Sequence, residues 1–199
     1  MKVPVSLIQK LRQTSGAGIL DCRKALEETQ GNIEKAVEIL RRKGLAIAAK
    51  KGDRIAQEGV IEAYVHSGER MGALVELNCE TDFVARTKEF RQLAHNIAMQ
   101  VVASRPLYVG PEDIPAEVVE REKESFRAQA KEENKPPQVI DRIADGRLEK
   151  YFDEICLLRQ PFIRDEDRTV QDMVNGYIAR LGENIRVKRF AHFELGEGE

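Results

Sequence analysis

Ile61-Glu62-Ala63-Tyr64-Val65-His66-Ser67-Gly68-Glu69-Arg70-Met71-Gly72-Ala73-Leu74-Val75-Glu76-Leu77-Asn78 is a stretch in which apolar residues recur at every second position. Ile61, Ala63 and Val65 alternate with Glu62, Tyr64 and His66. Met71, Ala73, Val75 and Leu77 alternate with Gly72, Leu74, Glu76 and Asn78. A period of two marks a strand, because successive side chains point to opposite faces. Ser67-Gly68-Glu69 supplies the turn, so the two runs predict a β-hairpin.

The period changes on either side. Thr81 is a good N-cap, and Phe90, Leu93, Ala94, Ile97, Ala98 and Val101 predict the apolar stripe of one long helix that ends before Pro106. Upstream, the first forty-odd residues predict a three-helix bundle. Leu7, Ile8 and Leu11 mark the first helix, Ile19, Cys22 and Leu26 the second, and Ile33, Ala36, Val37 and Leu40 the third. Gly16-Ala17-Gly18 interrupts the first two; Gly31 fits a helix stop and Asn32 a cap. Residues 43–58, with Gly44 and Gly52 among many charges, read as a linker that is helical at most in part. Downstream, Pro115 opens a strongly charged helix with Val119, Glu122 and Phe126 on one face. Pro136-Pro137 breaks it, and Val139, Ile140, Ile143, Leu148, Tyr151 and Phe152 run back. Residues 115–153 are thus expected as a protruding helical hairpin. A helix near 170–181 and a strand over 184–195 complete the chain, with Arg189 and Phe190 blurring the strand's register. The expected class is α+β: a three-helix domain over 1–42, a linker over 43–58, and a core over 59–199 with a small antiparallel sheet.

Composition narrows the function. Of 199 residues, 42% are hydrophobic and 33% charged, and 32 Lys and Arg against 34 Asp and Glu leave a net charge of −2. A chain so balanced lacks the basic surplus that phosphate-backbone binding needs, so no nucleic acid is expected. Cys22, Cys79 and Cys156 are too far apart for a zinc knuckle or redox pair, and His66, His95 and His192 are equally scattered. No metal or cofactor is therefore expected. No apolar run reaches the ~20 residues of a membrane span. Met1-Lys2-Val3-Pro4-Val5 carries no apolar signal core, so no membrane and a cytoplasmic place of work are expected.

Two long motifs carry a resemblance. One is Leu11-Arg12-Gln13-Thr14-Ser15-Gly16-Ala17-Gly18-Ile19-Leu20-Asp21-Cys22-Arg23-Lys24-Ala25-Leu26; the other is Glu76-Leu77-Asn78-Cys79-Glu80-Thr81-Asp82-Phe83-Val84-Ala85-Arg86. Gly146-Arg147-Leu148, Gln160-Pro161-Phe162 and Gly182-Glu183-Asn184-Ile185 add to them. Together they resemble translation elongation factor Ts, in its short form with one sheet-bearing subdomain. Ser15 stands where the family usually has Thr, and Arg23 where it has Lys. The resemblance implies a non-enzymatic guanine nucleotide exchange factor that promotes GDP release from elongation factor Tu. It also implies an N-terminal bundle like a ubiquitin-associated domain, and a homodimer. By motif position, Arg12, Ile19 and Leu20 would dock on Tu. Thr81, Asp82, Phe83 and Val84 would form the working element, with Phe83 as a wedge beside the nucleotide site. A second protomer would stand in for surfaces of the longer form, around His66.

The residues also admit plainer readings. By periodicity alone Phe83 is a core phenylalanine, seven residues before Phe90 on nearly the same helix face. Asp82 alone is a first-turn carboxylate favoured by the helix dipole, and Arg12 a solvated helix residue. Adjacent Ile19 and Leu20 cannot share a helix face, so one is exposed. Gly16-Ala17-Gly18 lacks the phosphate-loop pattern and follows a helix rather than a strand. Two other functions stay open at this level. One is an adaptor whose small bundle grips a ubiquitin-like or nascent-chain partner. The other is an enzyme using Cys79 with His95 nearby in sequence, although nothing in their spacing activates a thiol.

Overall fold

A computed structural model describes residues 3–197, which fall into two compact units. The first comprises described residues 3–99 and 171–197, the second residues 100–170. The fold is mixed helix and sheet, of the α+β class.

The first unit begins with α1 (Val5–Ser15), α2 (Ile19–Glu28) and α3 (Ile33–Lys51). Ile8, Leu11, Cys22, Ala25, Leu26, Ala36 and Leu40 form its buried centre, with Leu7, Ile33 and Val37 packed around them. Gly31 takes a positive φ of 89° after α2, and the Asn32 carboxamide accepts from Lys35 N–H at 2.9 Å to cap α3. Ile19 departs from the expected stripe: it lies in the first turn of α2, outside the core. α3 also runs to Lys51, so the segment 43–58 read as a linker is helical as far as 51. Gly44, placed in that linker, is a buried position inside the helix. Arg41 of α3 grips Asp172 through two bonds of 3.1 and 2.8 Å, which ties the bundle to the later helix α8 (Val170–Leu181).

β1 (Glu58–Val65) and β2 (Met71–Cys79) form the expected hairpin, and β5 (Arg186–Glu194) pairs antiparallel with β2, giving the sheet order β1-β2-β5. Gly68 turns the hairpin with φ 94°. At Gly59, φ is 155°, and an added Cβ would stand 2.1 Å from the Leu77 carbonyl oxygen. The blurred register near Arg189 is a bulge: Glu76 pairs Arg189 and Leu77 pairs Val187, which leaves Lys188 as the extra residue. The apolar sets of β1 and β2 lie on opposite faces. Ile61, Ala63 and Val65 pair with Glu76, Leu74 and Gly72, whereas the buried Ala73, Val75 and Leu77 pair with Tyr64, Glu62 and Val60. The inner face meets α5 (Lys88–Ser104), where His95 Nδ1 lies 2.9 Å from Glu62 Oε1 and its ring meets Tyr64 edge-on.

The second unit holds the helical hairpin, α6 (Ala116–Glu132) and α7 (Ile140–Ile155). Leu148, Phe152, Ile155 and Ile114 fill its narrow seam, with Val119 and Phe126 against them. Lys123–Asp145, Arg127–Asp141 and Arg147–Glu133 ion pairs lace the two helices at 2.6 to 2.7 Å. A two-stranded ribbon, β3 (Pro161–Phe162) with β4 (Asp165–Thr169), was not foreseen from the sequence.

Candidate functional site

The long helix expected after Thr81 is two helices. α4 (Asp82–Ala85) is a single turn, and α5 starts afresh at Lys88. Thr87 makes the break. Its N–H closes a tight bond to Val84 O at 3.0 Å, and its hydroxyl donates to the same carbonyl at 2.8 Å. That hydroxyl oxygen also accepts from Phe90 N–H at 3.2 Å, as the cap of α5. The seven-residue spacing of Phe83 and Phe90 therefore does not lie along one helix. Phe90 is fully buried, while Phe83 is 80% exposed. The periodicity reading of Phe83 as core is corrected here, and the cause is the break.

The base of α4 is stiff. Thr81 Oγ1 accepts from Val84 N–H at 3.4 Å, and Ala85 is buried beneath the turn. Cys79 donates its thiol hydrogen to Thr81 O at 3.1 Å. Burial first, then the nearby Glu183 carboxylate, pushes the Cys79 thiol up to about 11, so thiolate is scarce near neutrality. Cys79 is bonded to Thr81 and His95 to Glu62, so the two are not hydrogen-bonded to each other through these atoms. Asp82 is paired with Arg86 at 2.7 Å, one helical turn on. Sequence reasoning quoted Arg86 but did not give it this role; the i, i+4 spacing was the available signal.

The second group of expected residues lies where α1 turns into α2. Gly16, at φ 67°, closes α1 by donating its N–H to Arg12 O at 2.8 Å. Gly18 is extended and starts α2. This tight reversal leaves Ile19 and Leu20 in the outward first turn, 58% and 70% exposed, while Cys22, Ala25 and Leu26 turn inward. Arg12 is exposed on the last turn of α1. Arg12, Gly16, Ile19 and Leu20 line a groove of about 940 Å³ whose other wall includes Glu89 and Arg180. Glu89 stands in the first turn of α5, directly after α4 and its break. Arg180 lies 3.7 Å from Glu89 and 4.2 Å over the Tyr177 ring.

Two exposed apolar features thus share one unit: a single aromatic on a braced turn, and an Ile-Leu pair on a neighbouring groove. Among the described residues, no cluster of His, Cys, Asp and Glu is arranged to hold a metal ion, and no helix is long and apolar enough to cross a membrane.

Residues 20–197 match the family model described as Elongation factor TS. The chain is 58% identical over 192 residues to elongation factor Ts of Carboxydothermus hydrogenoformans, covering 96% of this chain and 88% of that one. It is 58% identical over 191 residues to the Moorella thermoacetica elongation factor Ts, covering 96% and 94%. Against the Thermotoga petrophila protein of the same name it is 57% identical over 198 residues, covering 100% and 98%. A match of this extent, on a fold that presents both motifs at its surface, places the chain in the elongation factor Ts family, with a role in translation elongation.

Proposed function

We propose that the protein is a guanine nucleotide exchange factor that binds elongation factor Tu and promotes release of GDP. The observation that carries this reading is the exposure of Phe83 on a turn too well braced to fold it away. Exchange is linkage: a factor that weakens GDP binding by some ratio is weakened by GDP in the same ratio. It need only bind the GDP-free conformation of Tu better than the GDP-bound one. No bond is made or broken, so the reading needs no acid, base, nucleophile or cofactor. Phe83 supplies the difference by entering Tu beside the nucleotide, with Thr81, Asp82 and Val84 forming its base. Arg12, Ile19 and Leu20 supply affinity common to both states.

Burying a phenylalanine side chain contributes ~1.5–3 kcal/mol. Each 1.4 kcal/mol is tenfold, so Phe83→Ala is expected to slow GDP release roughly 10- to 100-fold. Stopped-flow release of a fluorescent GDP from Tu reads this directly, and undiminished release by the variant refutes the wedge. An adaptor reading accounts for the Ile19-Leu20 pair but leaves Phe83 unexplained.

The factor is further proposed to act as a homodimer in the cytoplasm. Support for the dimer comes from the outer sheet face, where Ile61, Val65 and Phe193 are 69%, 63% and 61% exposed beside Leu74 and Ala191. On this face Arg189 and Glu76 pair at 2.7 Å and neutralise each other, so the apolar patch beside them suits a second copy of itself.

A further inference from the structure

A single helical turn does not hold itself. Nucleating a first turn is unfavourable in isolation, so the four residues of α4 take their pose from elsewhere. Phe83 has little packing of its own, and its direction is inherited from the backbone that carries it. That backbone is held by a carboxylate far away in sequence. Glu183, half-buried in the turn between α8 and β5, uses both oxygens. Oε2 accepts from Glu80 N–H at 3.1 Å and from Thr81 N–H at 3.0 Å, and Oε1 accepts from the Thr81 hydroxyl at 2.6 Å. Donating its hydrogen to Glu183 leaves the Thr81 oxygen to face Val84 N–H, which is the cap of α4. The clasp is reciprocal. Glu80 Oε1 accepts from Asn184 N–H at 2.6 Å, and the buried Asn184 carboxamide donates to Arg54 O at 2.7 Å and Gly52 O at 3.3 Å. The Arg186 guanidinium donates to the same Gly52 carbonyl. Three segments, 52–54, 80–81 and 183–186, meet at this knot. Hydrogen bonds to a carboxylate are charge-assisted and about twice as strong as neutral ones, and Glu183 takes three of them in this knot where Glu80 takes one from Asn184 and one from Arg54.

We propose that Glu183 is a positioning residue for nucleotide exchange, holding the Phe83 wedge in its outward pose through the Glu80–Thr81 turn. The proposal rests on the exchange reading above. Glu183 need not touch Tu. Losing it frees two N–H groups and the cap hydroxyl, and the Phe83 ring then samples directions that do not fit the nucleotide site.

The test is a kinetic cycle of wild type, Glu183→Ala, Glu183→Gln, Phe83→Ala and Phe83→Ala/Glu183→Ala, in stopped-flow GDP release from Tu over a range of factor concentrations. Misplacement of a positioned group costs large factors in rate, so Glu183→Ala is expected to lower the limiting rate on the order of tenfold. The half-saturating concentration should move far less, because the Arg12-Ile19-Leu20 patch is untouched. Glu183→Gln keeps one acceptor oxygen and should fall between the two. In the Phe83→Ala background Glu183→Ala should add nothing, since both act through one ring. Amide exchange at Glu80 and Thr81 should quicken while that of Leu93 and Ile97 stays slow. A limiting rate left intact by both Glu183 variants overturns the proposal, and so does a full additional loss on top of Phe83→Ala. If Glu183→Ala does not fold, the isosteric Gln variant carries the same comparisons. Wild-type exchange by Phe83→Ala alone sinks the wedge, and no acceleration of GDP release by the wild-type protein sinks the exchange reading itself; both outcomes are separable from the fate of Glu183.

Discussion

Phe83 and Phe90 sit seven positions apart and meet opposite environments. The contrast makes a paired prediction. Exposed substitutions usually change stability by less than about 0.5 kcal/mol, so Phe83→Ala should melt close to wild type. Truncating the enclosed Phe90 should cost about 3–5 kcal/mol, which a denaturant titration resolves. The cysteines make a second prediction at this scale. Burial pushes the Cys156 thiol up to about 11, as at Cys79, so both should resist alkylation near pH 8 in the folded protein and react freely in denaturant. The sign follows for stability as well. A thiol whose folded value is raised favours the folded state while protonated, and that contribution fades as pH rises above ~8.5, the unfolded range. At single residues the sequence was informative where a motif could be matched. It placed Glu183 in the matched Gly182-Glu183-Asn184-Ile185 stretch but gave it no role, because a carboxylate reaching across a hundred residues of chain leaves no periodic trace.

Among the elements, those with long uninterrupted patterns were legible. The period-two runs of β1 and β2, the stripes of α1 and α3, and the Pro136-Pro137 stop of the hairpin all came through. Breaks set by one side chain did not. Thr87 ends α4 and caps α5, yet within a helical stripe it reads as an ordinary polar position. Thr87→Ala should cost about 1 kcal/mol by calorimetry and slow exchange too, since it loosens the far end of the wedge turn. The β3–β4 ribbon escaped notice because Asp165-Glu166-Asp167-Arg168 carries no apolar alternation. The α6–α7 hairpin gives a pH prediction. Arg127 beside Asp141 and Arg147 beside Glu133 hold both carboxyls below their usual values by charge-assisted hydrogen bonds. Depressed carboxyl values stabilise the fold above the unfolded value of ~4 and lose that contribution as pH falls through the folded value. Amide exchange across α6 and α7 should therefore quicken selectively below about pH 4. Both pairs are exposed, so the effect should be modest and weakened by salt.

For the molecule as a whole, the opposed apolar stripes of the hairpin decide what it can join. The Ala73, Val75 and Leu77 stripe closes the interior, and the Ile61, Ala63 and Val65 stripe remains outside. Leu74→Asp should convert the proposed dimer to a monomer in sedimentation experiments without unfolding it, since Leu74 sits in that outer face. The α+β class was legible from the change of period alone; which face of the sheet would be left open was not, because register depends on how the turn at Gly68 pairs the strands. One feature of the topology reaches into how the protein is made. β1 and β2 leave the ribosome early, but β5 and the Glu183 clasp come from the far side of the inserted unit. If Glu183 positions the Phe83 turn as proposed, that turn is left slack until residues 183–194 clear the exit tunnel, and a nascent chain still in progress would have no working tip with which to disturb the machinery that is producing it.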